Sequence, residues 1–155
     1  MPPANQTQRP VNLLLVEDNP ADVRLTEEAL KQGEVAVNLN VASDGVEAVD
    51  FLRQRGKFRE APRPELILLD LNLPKKSGRE VLSEIKCDPD LRRIPVVVMT
   101  TSTAEQDVEK AYHLNANCYV AKPIELDDFF EVVRSIEDFW LRKAVLPAMP
   151  VSAAG

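Results

Sequence analysis

Short apolar runs alternate along the chain with segments whose apolar residues recur at helical spacing, and this alternation is the strongest constraint on the fold. Five runs have the length and composition of strands: 11–16, 35–41, 66–69, 95–99 and 118–121. A helical segment follows each run, and the last covers about residues 126–143. Uninterrupted apolar strands joined by helices form parallel sheets covered on both faces, so the pattern predicts a doubly wound α/β fold.

Two boundaries carry local signals. Asn19 followed by Pro20 is typical of a helix start, because asparagine caps the first turn and proline suits the first helical position. We expect this helix to close near Gly33. The strand over residues 35–41 alternates apolar and polar residues, which favours a strand with one wetter face at an edge of the sheet.

Composition narrows the functions that such a fold can have. The chain has 155 residues, a length that suits a single domain. Its net charge of −6 disfavours binding to nucleic acid, whose phosphates need clustered lysine and arginine. It has one histidine, His113, and two cysteines, Cys87 and Cys118, without CxxC spacing. These counts exclude histidine triads and histidine–cysteine metal sites. We therefore expect no nucleic-acid partner and two reduced thiols in a cytoplasmic protein.

The ends of the chain differ from its middle. Residues 1–10 are polar with three prolines and lack the apolar core of a signal peptide. No apolar run approaches the roughly 20 residues that span a bilayer, so we expect no membrane association. The expected organisation is a flexible tail at 1–10, one domain at 11–143, and an extension at 144–155 without an output domain.

Four of the five predicted strands end at residues that can do chemistry. The residues are Glu17 and Asp18 after the first strand, Asp70 after the third, Thr100 after the fourth and Lys122 after the fifth. In an open parallel sheet the carboxyl ends of all strands lie at one edge, where such folds bind ligands. Polar residues also end strands merely because the chain reaches water, but these types together favour a common site.

The residue types indicate a particular chemistry. Crowded carboxylates repel one another unless a cation neutralises them. Their hard oxygen atoms favour Mg²⁺ or Mn²⁺ over zinc, and a phosphoryl group is the natural co-ligand of Mg²⁺. Lys122 and Thr100 offer a positive charge and a hydroxyl to such a group. Asp70 is then a candidate nucleophile that forms an acyl phosphate.

Four segments in order carry a family resemblance: LLLVEDNPAD, LILLDLNLPKKSG, IPVVVMTTS and YVAKP. Together with the intervals from Asp70 to Thr100 and from Thr100 to Lys122, they resemble the receiver domain of bacterial two-component response regulators over residues 11–143. The resemblance implies a CheY-like, flavodoxin-like fold of five βα units with strand order 2-1-3-4-5. It also implies that Asp70 accepts a phosphoryl group from a sensor histidine kinase.

The metal ligands and the reaction class follow from the same resemblance. Asp18 and Asp70 ligate Mg²⁺ with the backbone carbonyl of Asn72, and Glu17 binds through water. The protein is then a phosphoacceptor rather than an enzyme, with only phosphotransfer and self-dephosphorylation as its chemistry. A phosphatase of the haloacid dehalogenase type also uses an aspartyl nucleophile and Mg²⁺, but it needs a second acid where Asn72 stands. A receiver-like scaffold that is never phosphorylated is another alternative, against which the complete residue set argues.

The resemblance also implies a switch. Lys122 pairs with Asp70 and then with the phosphate, and the peptide bond between Lys122 and Pro123 is cis. Thr100 moves to the phosphate, and Tyr119 swings inward behind it. A local change of charge at Asp70 would drive this change of rotamer.

Further features resemble the single-domain response regulators paired with bacterial and cyanobacterial phytochromes. These are a long segment at residues 54–65, the TTS segment and the terminal DFWLRKAVLP. They imply a phytochrome as the kinase and an unidentified downstream protein as the target. The 54–65 segment is either a tolerated surface insertion or a loop that recognises a partner.

The last helix is more apolar than one packed face requires. One stripe contains Leu126, Phe129, Phe130, Val133 and Trp140, which the sheet can cover. A flank of Val132, Ile136 and Phe139 extends beyond this stripe. Either the helix is unusually buried, or the flank contacts a second copy in a homodimer, which Val145 and Leu146 could extend.

Overall fold

A computed structural model describes residues 10–147 of the protein. The strands are β1 (Val11–Val16), β2 (Val37–Ala42), β3 (Leu66–Leu69), β4 (Val96–Thr100) and β5 (Cys118–Ala121). The helices are α1 (Pro20–Lys31), α2 (Gly45–Leu52), α3 (Gly78–Cys87), α4 (Glu105–His113) and α5 (Leu126–Ile136). A π-helical segment (Glu137–Lys143) continues α5. Of the predicted terminal segments, residues 1–9 and 148–155 lie outside the described residues.

The five strands form one parallel sheet in the order β2-β1-β3-β4-β5. This confirms the predicted fold class and strand order, with β2 at one edge as the alternation in its sequence indicated. The central strands β3 and β4 are buried along their whole length. Such strands need apolar residues on both faces, which is why they read as continuous apolar runs.

Two apolar layers hold the helices on opposite faces of the sheet. One contains buried residues of α2, α3 and α4, and the other contains buried residues of α1 and α5. Each layer takes alternate residues of the strands, such as Ile67 and Leu69 on one face and Leu66 and Leu68 on the other. Helices thus cover both faces of the sheet, and the edge formed by the strand ends is left accessible to a ligand. No helix within residues 10–147 is both long and apolar enough to cross a bilayer.

The segment at residues 54–65 packs partly against the domain. It contains a 3₁₀ turn, Gly56–Phe58, and the Phe58 ring meets Phe51 edge to face at 5.4 Å between centroids. Phe58 and Ala61 both pack against the layer that contains residues of α2, α3 and α4. The insertion is therefore anchored to the core, while its role in partner recognition stays a prediction.

The face of α5 that meets the sheet is rotated from the predicted one. Its buried residues are Phe129, Val133 and Ile136, which follow the i, i+4, i+7 spacing of one helical stripe. Ile136 is therefore a core residue, and its predicted place in an exposed interface is wrong. Leu126, predicted to be covered, is 53% exposed. Of the predicted flank, Val132 is half-buried and Phe139 is 54% exposed.

The π-helical segment is tied to the loop between α1 and β2. The buried Glu137 carboxylate accepts a hydrogen bond from the Val35 backbone N–H at 3.2 Å. Gly33 makes room for it, because a Cβ at this position would lie 2.0 Å from the Glu137 carboxylate oxygens. Arg142 forms a further ion pair with Glu34 at 3.5 Å. The predicted single helix over 126–143 thus changes its hydrogen-bonding register at its end.

Candidate functional site

The carboxyl ends of β1, β3, β4 and β5 bring the predicted site residues together. Glu17, Asp70 and Thr100 are buried polar residues at the carboxyl ends of β1, β3 and β4. The Lys122 amine reaches back to the carboxylates of Glu17 and Asp70, at 2.7 and 3.1 Å. The parallel topology alone produces this meeting, since each residue lies at or just after the end of its own strand.

Hydrogen bonds hold the Asp70 carboxylate from both sides. Oδ1 accepts from the Asn72 backbone N–H at 3.0 Å and from the Thr100 hydroxyl at 2.9 Å. Oδ2 accepts from Lys122 at 3.1 Å. Glycine at position 78 allows the start of α3 to approach the loop after β3 closely, because a Cβ there would lie 2.3 Å from the Asp70 carbonyl oxygen. Asp70 therefore has a fixed orientation, with donors on both carboxylate oxygens.

Asp22 is a site residue that the sequence analysis missed. It lies in the first turn of α1, and its carboxylate accepts a hydrogen bond from the Lys122 amine at 2.9 Å. The signal that could have indicated Asp22 is its position in the first turn of α1, because this helix starts at the edge of the sheet where Glu17 and Asp18 lie. The first turn of a helix commonly carries an acid for reasons of the helix dipole alone, which hides such a contact in a sequence.

The ionisable groups of the site shift one another's pKa values. Burial raises the pKa of Glu17 to about 7, and the nearby Asp70 charge adds to this, against the opposing hydrogen bond from Lys122. Burial disfavours the charge on Lys122, but hydrogen bonds to Glu17 and Asp22 and the charge of Asp70 outweigh it and raise the Lys122 pKa. Lys122 is thus held as an ammonium group that neutralises the acids around it.

Three carboxylates of the site can share one cation. Glu17, Asp18 and Asp70 each offer an oxygen atom, and these atoms lie within 4.8 Å of one another. Asp18 is exposed, whereas Glu17 and Asp70 are buried, so the cluster opens to solvent on the side of Asp18. Three hard oxygen donors open to water fit a divalent cation such as Mg²⁺ or Mn²⁺, which retains water ligands. The predicted contribution of the Asn72 carbonyl stays a prediction.

The predicted switch residues lie beside the site. The Thr100 hydroxyl already donates to Asp70, and the Tyr119 hydroxyl donates to the Ser102 carbonyl at 2.8 Å. Burial raises the pKa of Tyr119, and this residue packs against the core layer that contains residues of α2, α3 and α4. A hydrogen-bonded connection from β5 to the loop after β4 is therefore in place.

The predicted cis bond before Pro123 is wrong. No peptide bond within residues 10–147 is cis, so the Lys122–Pro123 bond is trans. A trans bond is the ordinary preference of a residue before proline, by about 0.5–1 kcal/mol. Lys122 reaches all three of its carboxylate partners from this trans arrangement.

The fold and the cluster of acids, hydroxyl and lysine define a receiver domain, and comparison with known proteins agrees. The response regulator receiver domain family matches residues 13–134, and the chain belongs to this family. It is 52% identical over 145 residues to the response regulator Rcp1 of Synechocystis sp., which covers 94% of this chain and 99% of Rcp1. The receiver family is a signalling family rather than an enzyme family.

Two solved structures show the same relationship. The Mn²⁺-bound form of Rcp1 has a TM-score of 0.87 and 55% identity, covering 90% of this chain and 100% of that one. The phosphorylated cyanobacterial phytochrome response regulator RcpA has a TM-score of 0.88 and 52% identity, with the same coverage. The chain is therefore a receiver-domain protein related to phytochrome response regulators.

Proposed function

We propose that Asp70 accepts a phosphoryl group from a phosphohistidine of a sensor histidine kinase and that the phosphorylated chain signals by a changed binding surface. The observation that carries this proposal is the surrounding of Asp70. A buried carboxylate that receives hydrogen bonds from Thr100, Lys122 and a backbone N–H is oriented for attack. Its neighbours can then bind the oxygens of the group that arrives.

The proposed reaction is a displacement at phosphorus. A carboxylate oxygen of Asp70 bonds to the phosphorus atom, the bond from phosphorus to the imidazole nitrogen breaks, and the nitrogen keeps that electron pair. The product is an acyl phosphate on Asp70, and the leaving imidazole takes a proton from water to give a neutral histidine on the kinase. Lys122 and Thr100 lie beside Asp70 and supply an ammonium and a hydroxyl to the phosphoryl oxygens. Self-dephosphorylation, by attack of water on the phosphorus, restores the carboxylate and releases phosphate.

A divalent cation completes the proposed site. Asp18 and Asp70, with the backbone carbonyl of Asn72, would ligate Mg²⁺ or Mn²⁺ directly, and Glu17 would bind through water. When bound, the cation neutralises the charge that develops on the phosphoryl oxygens. The Mn²⁺ in the Rcp1 structure and the oxygen cluster here support this assignment.

The proposed kinase is a phytochrome, and the proposed location is the cytoplasm. The relationship to Rcp1 and to RcpA supports the first. The cysteines Cys87 and Cys118 are free, which fits a reducing compartment. The downstream partner would be a protein that reads the surface next to Tyr119.

We also propose a homodimer through the end of α5, revised by the burial of Ile136. Val132, Phe139 and Trp140 line an open groove of about 290 Å³ beside β5. The Phe139 side chain is 54% exposed and Val145 is 96% exposed, and exposed apolar groups of this kind mark interfaces. One self-complementary patch serves both copies in a two-fold dimer. Sedimentation of wild type and Phe139→Glu tests this: a wild type that stays monomeric at tens of micromolar contradicts it.

Labelling by a small phosphoryl donor tests the central proposal. Wild type incubated with acetyl phosphate and Mg²⁺ should gain one acid-labile phosphoryl group, and Asp70→Asn should gain none. The Asn variant keeps the shape of the side chain and lacks the nucleophilic carboxylate. Equal labelling of the two proteins would refute the assignment and would favour a scaffold or another acceptor. A haloacid-dehalogenase-type phosphatase is disfavoured because Asn72, rather than an acid, follows Asp70 by two positions.

A further inference from the structure

We infer that Asp22 is a positioning residue that draws the Lys122 ammonium toward α1 and so leaves the carboxylates of Glu17 and Asp70 available to a divalent cation. The inference rests on the proposed function, because it concerns the same cation site. The observation behind it is a contact of 2.9 Å between the Asp22 carboxylate and the Lys122 amine. Asp22 is not one of the three acids that can share a cation.

The Lys122 amine has a complete set of partners. An ammonium group has three N–H donors and no acceptor. Here it meets three carboxylates, with Glu17 at 2.7 Å, Asp22 at 2.9 Å and Asp70 at 3.1 Å. Two of these three acids belong to the cation cluster. Of the three partners of Lys122, Asp22 is therefore the one that lies outside the cation cluster. It can keep its contact with Lys122 when a cation binds.

The ordinary role of an acid in the first turn of a helix does not account for this contact. Such an acid commonly hydrogen bonds back to the backbone N–H of the cap residue. In this protein the N–H of the cap residue, Asn19, donates instead to Glu17 Oε2 at 3.1 Å. The Asp22 side chain is only 20% exposed and turns toward Lys122. An acid that served the helix dipole alone would gain nothing from this burial.

A competition for charge follows from this geometry. The ammonium of Lys122 and a divalent cation both neutralise Glu17 and Asp70, so each weakens the hold of the other. Without a charge on Asp22, the ammonium would interact with Glu17 and Asp70 alone. A cation would then have to replace a more tightly held Lys122 ammonium at the Glu17 and Asp70 carboxylates. Asp22 lowers the free-energy cost of this exchange by offering Lys122 a partner outside the cation site.

The test is the affinity for Mn²⁺, measured by the loss of the free-ion electron paramagnetic resonance signal. Asp22→Asn should weaken Mn²⁺ binding about 3- to 10-fold with an unchanged thermal unfolding midpoint. Glu28→Gln is the matched control: it removes one charge from the same helix, and its partner is Lys31 at the surface. That control should bind Mn²⁺ within twofold of wild type. An Asp22→Asn protein that binds as wild type overturns the inference.

A second background separates action through Lys122 from a plain effect of charge. If Asp22 acts through the lysine, Asp22→Asn should lose its effect on Mn²⁺ affinity when Lys122 is also changed to Met. An equal loss of affinity with and without Lys122 would contradict the inference. Should the double variant not fold, the ¹⁵N chemical shift of the Lys122 amine decides: it must move in Asp22→Asn and not in Glu28→Gln. These binding readouts stand apart from the labelling of Asp70, so the two proposals can fail separately.

Discussion

Two half-buried lysines at opposite ends of the sheet have opposite surroundings. At the carboxyl end, the Lys122 amine donates to three carboxylates. At the amino end, the Lys86 amine donates to three neutral oxygens: the carbonyls of Arg92 at 3.0 Å and Ile94 at 2.9 Å, and Asn117 Oδ1 at 3.1 Å. Both lysines complete three hydrogen bonds. They differ only in whether those bonds bring negative charge.

The difference in charge decides the two pKa values. Burial lowers the pKa of Lys86 to about 8, and its three neutral oxygen partners bring no charge to oppose this. Burial acts on Lys122 as well, but its carboxylate partners more than compensate and raise its pKa. One lysine fastens the turn before β4, and the other belongs to a charged site. Burial of a polar group in this protein therefore marks a reactive site only where charges converge with it.

The largest expected effect comes from removing the lysine of the charged end. Lys122→Met should slow phosphoryl transfer from acetyl phosphate to Asp70 on the order of 10²-fold, because the ammonium can no longer stabilise the phosphoryl oxygens. Rates of acid-labile labelling at saturating Mg²⁺ measure this. Lys86→Met is the matched control and should label within twofold of wild type. Comparable rates for the two variants would contradict a catalytic role that Lys122 has and Lys86 lacks.

Removal of the other lysine should cost stability instead. Lys86→Met loses three hydrogen bonds and leaves the acceptors of Arg92, Ile94 and Asn117 without this donor. We expect the free energy of unfolding at pH 7 to fall by about 1–3 kcal/mol. Urea denaturation followed by circular dichroism measures this. A variant as stable as wild type would mean that the three contacts have no net value.

The smallest effect is a dependence on pH. The pKa of folded Lys86, about 8, lies below its ordinary value of 10.5, so between these values the unfolded chain binds a proton that the folded chain does not. The contribution of Lys86 to stability therefore rises with pH across this window, by about 1 kcal/mol per pH unit. The measurement is the difference in unfolding free energy between wild type and Lys86→Met from pH 8 to 9. A difference that falls with pH would contradict the assignment.

The sequence predicted the strands and the site because both depend on local rules. Apolar runs such as Leu66–Leu69 mark central strands, and a parallel topology brings Asp70 to the same edge as Asp18. The family resemblance supplied the order of the strands. These features need no knowledge of how the side chains pack.

The misses depend on packing that a sequence does not display. Asp22 meets Lys122, 100 positions away in the chain, only because α1 starts at the same edge of the sheet where β5 ends. Ile136 is buried because the covered face of α5 is centred between Phe129 and Val133. Helical periodicity predicts that a stripe exists, and only the docked helix shows which residues it contains. Pro123 follows a trans bond, which the resemblance did not imply.

The position of the phosphoryl group tests the proposed role of Asp70 most directly. Borohydride reduces an aspartyl phosphate to homoserine, so wild type labelled with acetyl phosphate and Mg²⁺ can be reduced, digested and sequenced by mass spectrometry. We expect homoserine at position 70 in wild type and at no position in Asp70→Asn. Homoserine at Asp18 or Asp22, or a label on His113 with Asp70 intact, would contradict it.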